Sequence, residues 1–317
     1  GMNDHVMDHP LAEQAAGERL AAPGPAAAAP RPGTGLRRGT RRLPAAGTLA
    51  AAAFLLLLVA AALLAPWIAP FDPLAGDVLA NLMPPSLGEG GEPAHLLGTD
   101  MLGRDVLSGI LYGARVSLVV GLAAAGGAGV LGTAIGIVCG FFRGTLDEVL
   151  MRLVDIQLAF PFILLAVLIM YVLGQGLGNV IVVLVVATWP VYARVARAEA
   201  MRLRETDFVQ AARAIGARPL RTLLRHVLPN AAAPLIVVAT AAVPQMIIFE
   251  AALSFLGIGL PPTQVSWGSL LAAGRDYLDQ AWWIATFPGI AIMLTILSAN
   301  TLGDRLRQRL DPRGVRR

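Results

Sequence analysis

The sequence predicts an all-α protein that crosses a membrane six times, with both termini in the cytoplasm. Three observations carry this. Of 317 residues, 56% are hydrophobic and 15% charged, with a mean hydropathy of +0.65, whereas soluble domains carry about 25% charged residues. Uncharged apolar runs recur at the length a bilayer demands, about 20 residues. The cations, all of them Arg, sit almost entirely in alternate connections between those runs.

Residues 1–44 are rich in Ala, Pro, Gly and Arg and poor in large apolar side chains. That composition cannot bury a core and predicts a disordered cytoplasmic extension. The run at 45–69 is too long for a signal peptide and lacks a clean small-residue cleavage site, so it reads as an uncleaved anchor. A second run covers 116–142. A third extends from Ile156 to Ala193 without a charge, and Gly174-Gln175-Gly176-Leu177-Gly178-Asn179 divides it into two helices. The last two lie between His226 and Glu250 and between Asp279 and Asp304. The spanning domain is therefore 45–303, followed by a cytoplasmic tail at 304–317.

With the N-terminus inside, 22 of the 25 arginines fall on cytoplasmic segments, and Arg104, Arg115 and Arg275 are the three outside. This is the positive-inside pattern. It accounts for the basic character through anionic lipid headgroups or acidic partner groups, without nucleic acid. Two segments lie outside, 70–114 and 254–281. In the first, Leu102, Val106, Leu107, Ile110 and Leu111 fall at helical spacing. They predict an amphipathic helix, lying on the outer interface or packed against the bundle.

The chain has no lysine, so it holds no P-loop. If ATP drives it, another chain binds the nucleotide and its Mg2+. HExxH, GxSxG and Cys/His metal spacings are also absent. Cys139 stands alone inside an apolar run and reads as a small buried hydrophobe. No catalytic, cofactor or metal site is expected. Gly126-Gly127-Ala128-Gly129 lies in a span, where small residues serve helix packing.

The cytoplasmic loop 194–228 is the most informative segment. Thr206 or Asp207 can cap a helix starting near Phe208. Phe208, Ala211, Ala212 and Ile215 recur at three and four and predict one apolar face. Gly216 suits a left-handed helix end and Pro219 the first turn of a second helix. Leu220, Leu223, Leu224 and Val227 predict that helix's own apolar face. By physical chemistry alone, this is an Arg-rich helical loop resting on lipid or docking a partner.

Gln210-Ala211-Ala212, Gly216 four positions later and His226-Val227-Leu228-Pro229 together resemble the EAA motif of binding-protein-dependent ABC importer permeases. Gln210 stands where that family often has Glu, and His226 where many members have Ile. His95-Leu96-Leu97-Gly98-Thr99-Asp100-Met101-Leu102-Gly103-Arg104-Asp105-Val106 resembles the HPLGTDxLGRDV signature of the "C" permease of the dipeptide, oligopeptide and nickel group. Asp147–Asp155 and Leu253–Pro262 with Trp267-Gly268 are similar as well.

The resemblance covers about residues 45–313 and implies a type I importer permease in a bacterial inner membrane. It implies a homologous permease partner, two cytosolic ATPases and an external substrate-binding protein. Asp207, Gln210, Ala211, Ala212, Gly216, Ala217, Arg218 and Pro219 would form the coupling helix that docks an ATPase. The solute would be a di- or oligopeptide, or a nickel chelate or glutathione-like compound.

Further candidates come from the residues themselves. Glu250, near the outer end of a span, is a pathway group or a cap for the neighbouring loop. Asp155, three residues after Arg152, is a gate group or half of an ion pair across one helical turn. Asp100, Arg104 and Asp105 are binding-protein contacts or a local polar network. Pro161, Pro190, Pro244 and Pro288 kink or shape spans. A secondary transporter would need charged groups deep in the spans and usually an inverted repeat; neither is found.

Overall fold

The computed structural model describes residues 45–88 and 90–310. The expected disordered extension at 1–44 and the tail residues 311–317 lie outside them. Among the described residues the regular structure is helical, apart from one isolated bridge between Thr99 and Asp105.

Helix α1 (Ala45–Ile68) matches the first run. Helix α2 (Val106–Phe142) is 37 residues long and begins ten residues before the expected span. The expected amphipathic helix is thus the outer end of this span, packed against the bundle. Asp105 caps it, accepting from the Ser108 N–H at 2.7 Å. Val106 and the half-buried Ile110 pack with Ala281, Trp283 and Ile284, which gives that end an apolar seat.

The third crossing departs most from expectation. Helices α3 (Thr145–Ala159) and α4 (Phe162–Leu173) meet at a 97° bend, where a continuous helix from Ile156 was expected. Pro161 has no N–H and disfavours helical backbone at the residue before it. Phe160 is accordingly extended, at φ −81° and ψ 135°. The bent pair still joins the two ends of the bundle. At its outer end Gly176 N–H donates to the Gly259 carbonyl at 3.3 Å, and the Gln175 amide to the Gly257 carbonyl at 2.8 Å. At its inner end Asp147 receives Arg197. Five helices are long and apolar enough to cross a membrane, and this pair, counted as one span, brings the crossings to six, which puts both ends of the domain on the arginine-rich side.

Helix α5 (Leu177–Arg204) continues well past Ala193, because Ala196, Ala200 and Leu203 extend its buried stripe. The cytoplasmic segment then forms α6 (Asp207–Ala214), the short α7 (Pro219–Thr222) and a π-turn at Leu223–Val227, which leads into α8 (Leu228–Phe255). Outside, α9 (Trp267–Gly274) starts on a Ser266/Ser269 capping box. Helix α10 (Trp283–Leu310) absorbs the first residues of the expected tail.

Helices α2 and α5 form the closest packing in the bundle. Gly132, Gly136 and Gly140, spaced by four, line one face of α2. A Cβ on any of them would come closer than 3.0 Å to a backbone carbonyl of α5, at Trp189, Ala193 and Arg197 respectively. Small residues at this spacing let two backbones touch, which is how helices gain packing where lipid removes the hydrophobic drive between them. The seam also takes in part of the Gly126–Gly129 stretch: a Cβ at Gly127 would come within 2.7 Å of a Val185 methyl of α5, whereas one at Gly126 would meet open space.

Replacing Gly136 with Val should therefore force the helices apart and destabilise the protein by at least the 1–3 kcal/mol typical of overpacking. Gly126→Ala should be close to neutral. Thermal unfolding in detergent separates the two, and equal melting temperatures would exclude the seam as a major constraint.

Candidate functional site

The segment after α5 is assembled from local rules. The Thr206 carbonyl receives the N–H groups of Val209 and Gln210, both at 3.0 Å, and starts α6. Its hydroxyl turns back to the Leu203 carbonyl instead of capping the helix, as was expected of it. The helix ends in a Schellman turn, with Gly216 N–H donating to Arg213 O at 2.9 Å and Ala217 N–H to Ala212 O at 3.0 Å. Gly216 has φ +77°, and no atom would touch a Cβ there. Glycine is favoured at this position by backbone conformation alone.

The single apolar face expected of α6 is split in two. Val209 and Ala212 point inward, and Val209 is fully buried in a cluster with Ile137 and Phe141 of α2, Ala200 and Leu203 of α5, and Val227. Phe208, Ala211 and Ile215 remain exposed, and Ile215 is 85% exposed. The next turn divides the same way. Leu223 and Val227 are buried, while Leu220 and Leu224 are exposed beside Arg218, Arg221 and Arg225. Helical spacing alone does not reveal this division, because the neighbouring helices decide which edge of a wide apolar stripe they cover.

Three contacts made through Phe141 and Arg143 tie the segment to α2. The Arg213 guanidinium stands over the Phe141 ring at 4.9 Å, and Arg204 donates to the Phe141 carbonyl at 2.9 Å. Arg143 pairs with Glu205 at 3.2 Å. The Gln210 amide donates to the Glu205 carbonyl at 3.1 Å, closing the same corner. Behind it, Arg197 grips Asp147 with two hydrogen bonds, at 2.6 and 2.7 Å. Nothing in the sequence marks this pair, since its members are 50 residues apart. Asp155 bonds Arg194 of α5 at 2.6 Å, in place of the expected partner Arg152, which is exposed.

At the outer end, Asp100 and Asp105 are buried and committed to their own loop. Asp100 Oδ1 accepts the N–H groups of Leu102 and Arg104 at 2.7 and 2.9 Å. Asp105 accepts from Ser108 and contacts His95 Nδ1 at 3.0 Å, and the His95 ring stacks on Phe71. The Trp283 indole donates to the Thr99 carbonyl at 3.0 Å, pinning the loop to α10. Arg104 is half-buried at the surface of this knot. Of the two readings, the local polar network is what these contacts build from Asp100 and Asp105.

Glu250 is fully buried. Ser117 and Ser254 donate to its carboxylate at 3.1 and 2.8 Å, and Ser266 provides a third hydroxyl. It joins α2, α8 and the start of α9. The chemical capacity of the whole arrangement is mechanical. One end presents an exposed apolar and cationic surface, and the packed helices connect it to an outer end that holds a small cavity lined by polar and apolar residues.

Comparison with known proteins agrees with this. Residues 132–315 match the family described as binding-protein-dependent transport system inner membrane component, and residues 47–85 match the N-terminal TM domain of oligopeptide transport permease C. The di/tripeptide transport system permease protein DppC of Pseudomonas aeruginosa is 45% identical over 252 residues, covering 80% of this chain and 83% of that protein. The dipeptide transport system permease protein DppC of Escherichia coli K12 is 41% identical over 252 residues, with 80% and 84% covered. The inward-facing MetNI methionine ABC transporter contains a chain of similar fold, with a TM-score of 0.53 at 21% identity, covering 64% of this chain and 96% of that one. The chain belongs to the binding-protein-dependent transport system inner membrane components and is a multi-pass inner-membrane permease subunit of an ABC importer.

Proposed function

We propose that this permease carries di- or oligopeptides across the inner membrane, driven by ATP hydrolysis on separate subunits. The observation that carries the drive is the exposed Phe208–Ala211–Ile215 edge of α6. Apolar side chains presented to the cytoplasm on a short helix, with its inner edge buried, suit a groove on another protein. The occupants of the surface are two cytosolic ATPase subunits, one for this chain and one for a homologous permease beside it. ATP and Mg2+ bind to those subunits. Asp207, Gln210, Ala211, Ala212, Gly216, Ala217, Arg218 and Pro219 form the coupling element. The peptide cargo is supported by the names of the relatives at 41% and 45% identity. An external binding protein delivers it to the outer end.

Coupling follows from the attachments of α6. When the ATPases close on ATP, α6 is displaced with the groove that holds it. Val209 sits in the cluster shared by α2, α5 and α8, and Arg204 and Arg213 hold Phe141. The inner ends of these helices therefore travel with α6. The α2–α5 seam makes the two helices move as one body.

Reconstituted with its partners, the complex should import a labelled dipeptide only when ATP and the binding protein are both present. Uptake by this chain alone without ATP would overturn the proposal. Ile215→Asp removes a large aliphatic anchor without touching the core. With burial of such a side chain worth about 1.5–3 kcal/mol, ATPase subunits should bind roughly 10- to 100-fold more weakly; undiminished copurification would place docking elsewhere. Gly216→Val pays about 1–2 kcal/mol for left-handed backbone and should uncouple hydrolysis from transport, while Gly216→Asn should largely retain coupling. Normal transport by the Val variant would show that the turn is dispensable.

A further inference from the structure

The outer end holds a cavity of about 270 Å3 between the 100–106 loop, the α4–α5 turn and the segment between α8 and α9. Two of its lining residues each carry a polar atom that is buried without a hydrogen-bond partner among the described residues: Arg104 Nε and Gln264 Oε1. Buried polar groups are normally paired, and an unpaired one is costly. Arg104 has no carboxylate within ion-pair distance among the described residues, although Asp100 and Asp105 share the same wall. Both oxygens of Asp105 are occupied, and Asp100 is tied to backbone N–H groups. Val106, Leu260 and Leu270 supply apolar lining.

A free cation-side donor, a free amide oxygen acceptor and a nearby negative charge together describe the ligand. It must offer an anion to Arg104 and an N–H to Gln264, and its overall charge must tolerate Asp100. A simple anion meets only the first condition. A short zwitterionic peptide meets all three, because its terminal carboxylate lies next to a backbone N–H and its far end is an ammonium. The volume lies at the small end of ligand pockets, which run from roughly 300 Å3 upward, and so favours a ligand of two or three small residues.

We propose that this cavity is a receiving site for the C-terminal end of a short peptide, with Arg104 holding its carboxylate and Gln264 accepting from the adjacent N–H. The site rests on the peptide reading of the cargo and adds to it a contact made by the permease itself. It gives Arg104 a role in handling the solute that is separate from docking the binding protein.

The test uses the assembled complex of both permeases and both ATPases in nanodiscs, with the binding protein left out of the binding measurement. Saturation-transfer NMR compares dialanine with dialanine amide. Dialanine should bind, and the amide should bind about tenfold more weakly, as expected for loss of one charge-assisted contact. Arg104→Gln should abolish the difference between the two, Arg104→Lys should restore part of it, and Gln264→Leu should weaken both. Equal binding of the two probes to the unaltered complex, no binding of either, or unchanged discrimination by Arg104→Gln would each overturn the site. A parallel ATPase assay with peptide-loaded binding protein separates the causes. Stimulation by dipeptides with any of those results removes the site alone, and no stimulation by any dipeptide removes the peptide reading together with the site.

Discussion

The close approach of α2 and α5 is the constraint on which the rest of the molecule depends. In lipid, apolar side chains gain little by leaving one hydrocarbon for another, so helix association relies on packing and on backbones that can come near each other. Gly132, Gly136 and Gly140 place one helix directly on the carbonyls of the other. Once that spacing is set, Phe141 and Arg143 at the inner end of α2 stand beside the end of α5. Arg204, Glu205 and Arg213 can then reach them. The orientation of α6, and with it the exposed Phe208 and Ile215, follows from the seam.

The two ends of the protein use different physics. The inner end is held by charge-assisted contacts, Arg197 with the buried Asp147 and Arg194 with Asp155 at the exposed surface. Arg197 grips with a planar fork, which fixes direction as well as distance. The outer end is held by neutral or internally satisfied polar groups. Glu250 is shared among serine hydroxyls, Asp105 serves a helix start, and two tryptophan indoles donate to main-chain carbonyls. The inner end can thus be pushed by a partner while the outer loop keeps its shape.

Much of the architecture was legible in the residues. Apolar run lengths located the spans, the arginine count oriented them, and Gly216 with Pro219 marked the turn between α6 and α7. The errors share one cause. The outer amphipathic pattern before residue 116 continued into α2, α5 ran on past Ala193, and the third crossing broke at Pro161. In each case a boundary drawn from charge and hydropathy was moved by packing or by backbone sterics. Those criteria report where a lipid-crossing segment is, and a helix extends as far as its buried stripe continues or until a proline interrupts it. Asp155 was given the wrong arginine for a related reason: a partner three residues away is visible in sequence, and one on α5 is not.

By itself the sequence determined solvent, orientation and local turns: a bilayer protein, six crossings, arginines inward, and a left-handed glycine ending α6. These depend on composition and on single-residue conformational preference, which are local properties. Only the tertiary structure decided which apolar residues of the coupling segment stay free, which acids are occupied, and where polar atoms are left unpaired. Val209 and Phe208 are adjacent and both apolar, and what buries the first and exposes the second is the position of α2 and α5, helices brought there by chain far away in sequence. Asp100, Arg104 and Asp105 read as one polar cluster until the fold turns the two carboxylates into the loop and leaves the guanidinium at the cavity wall.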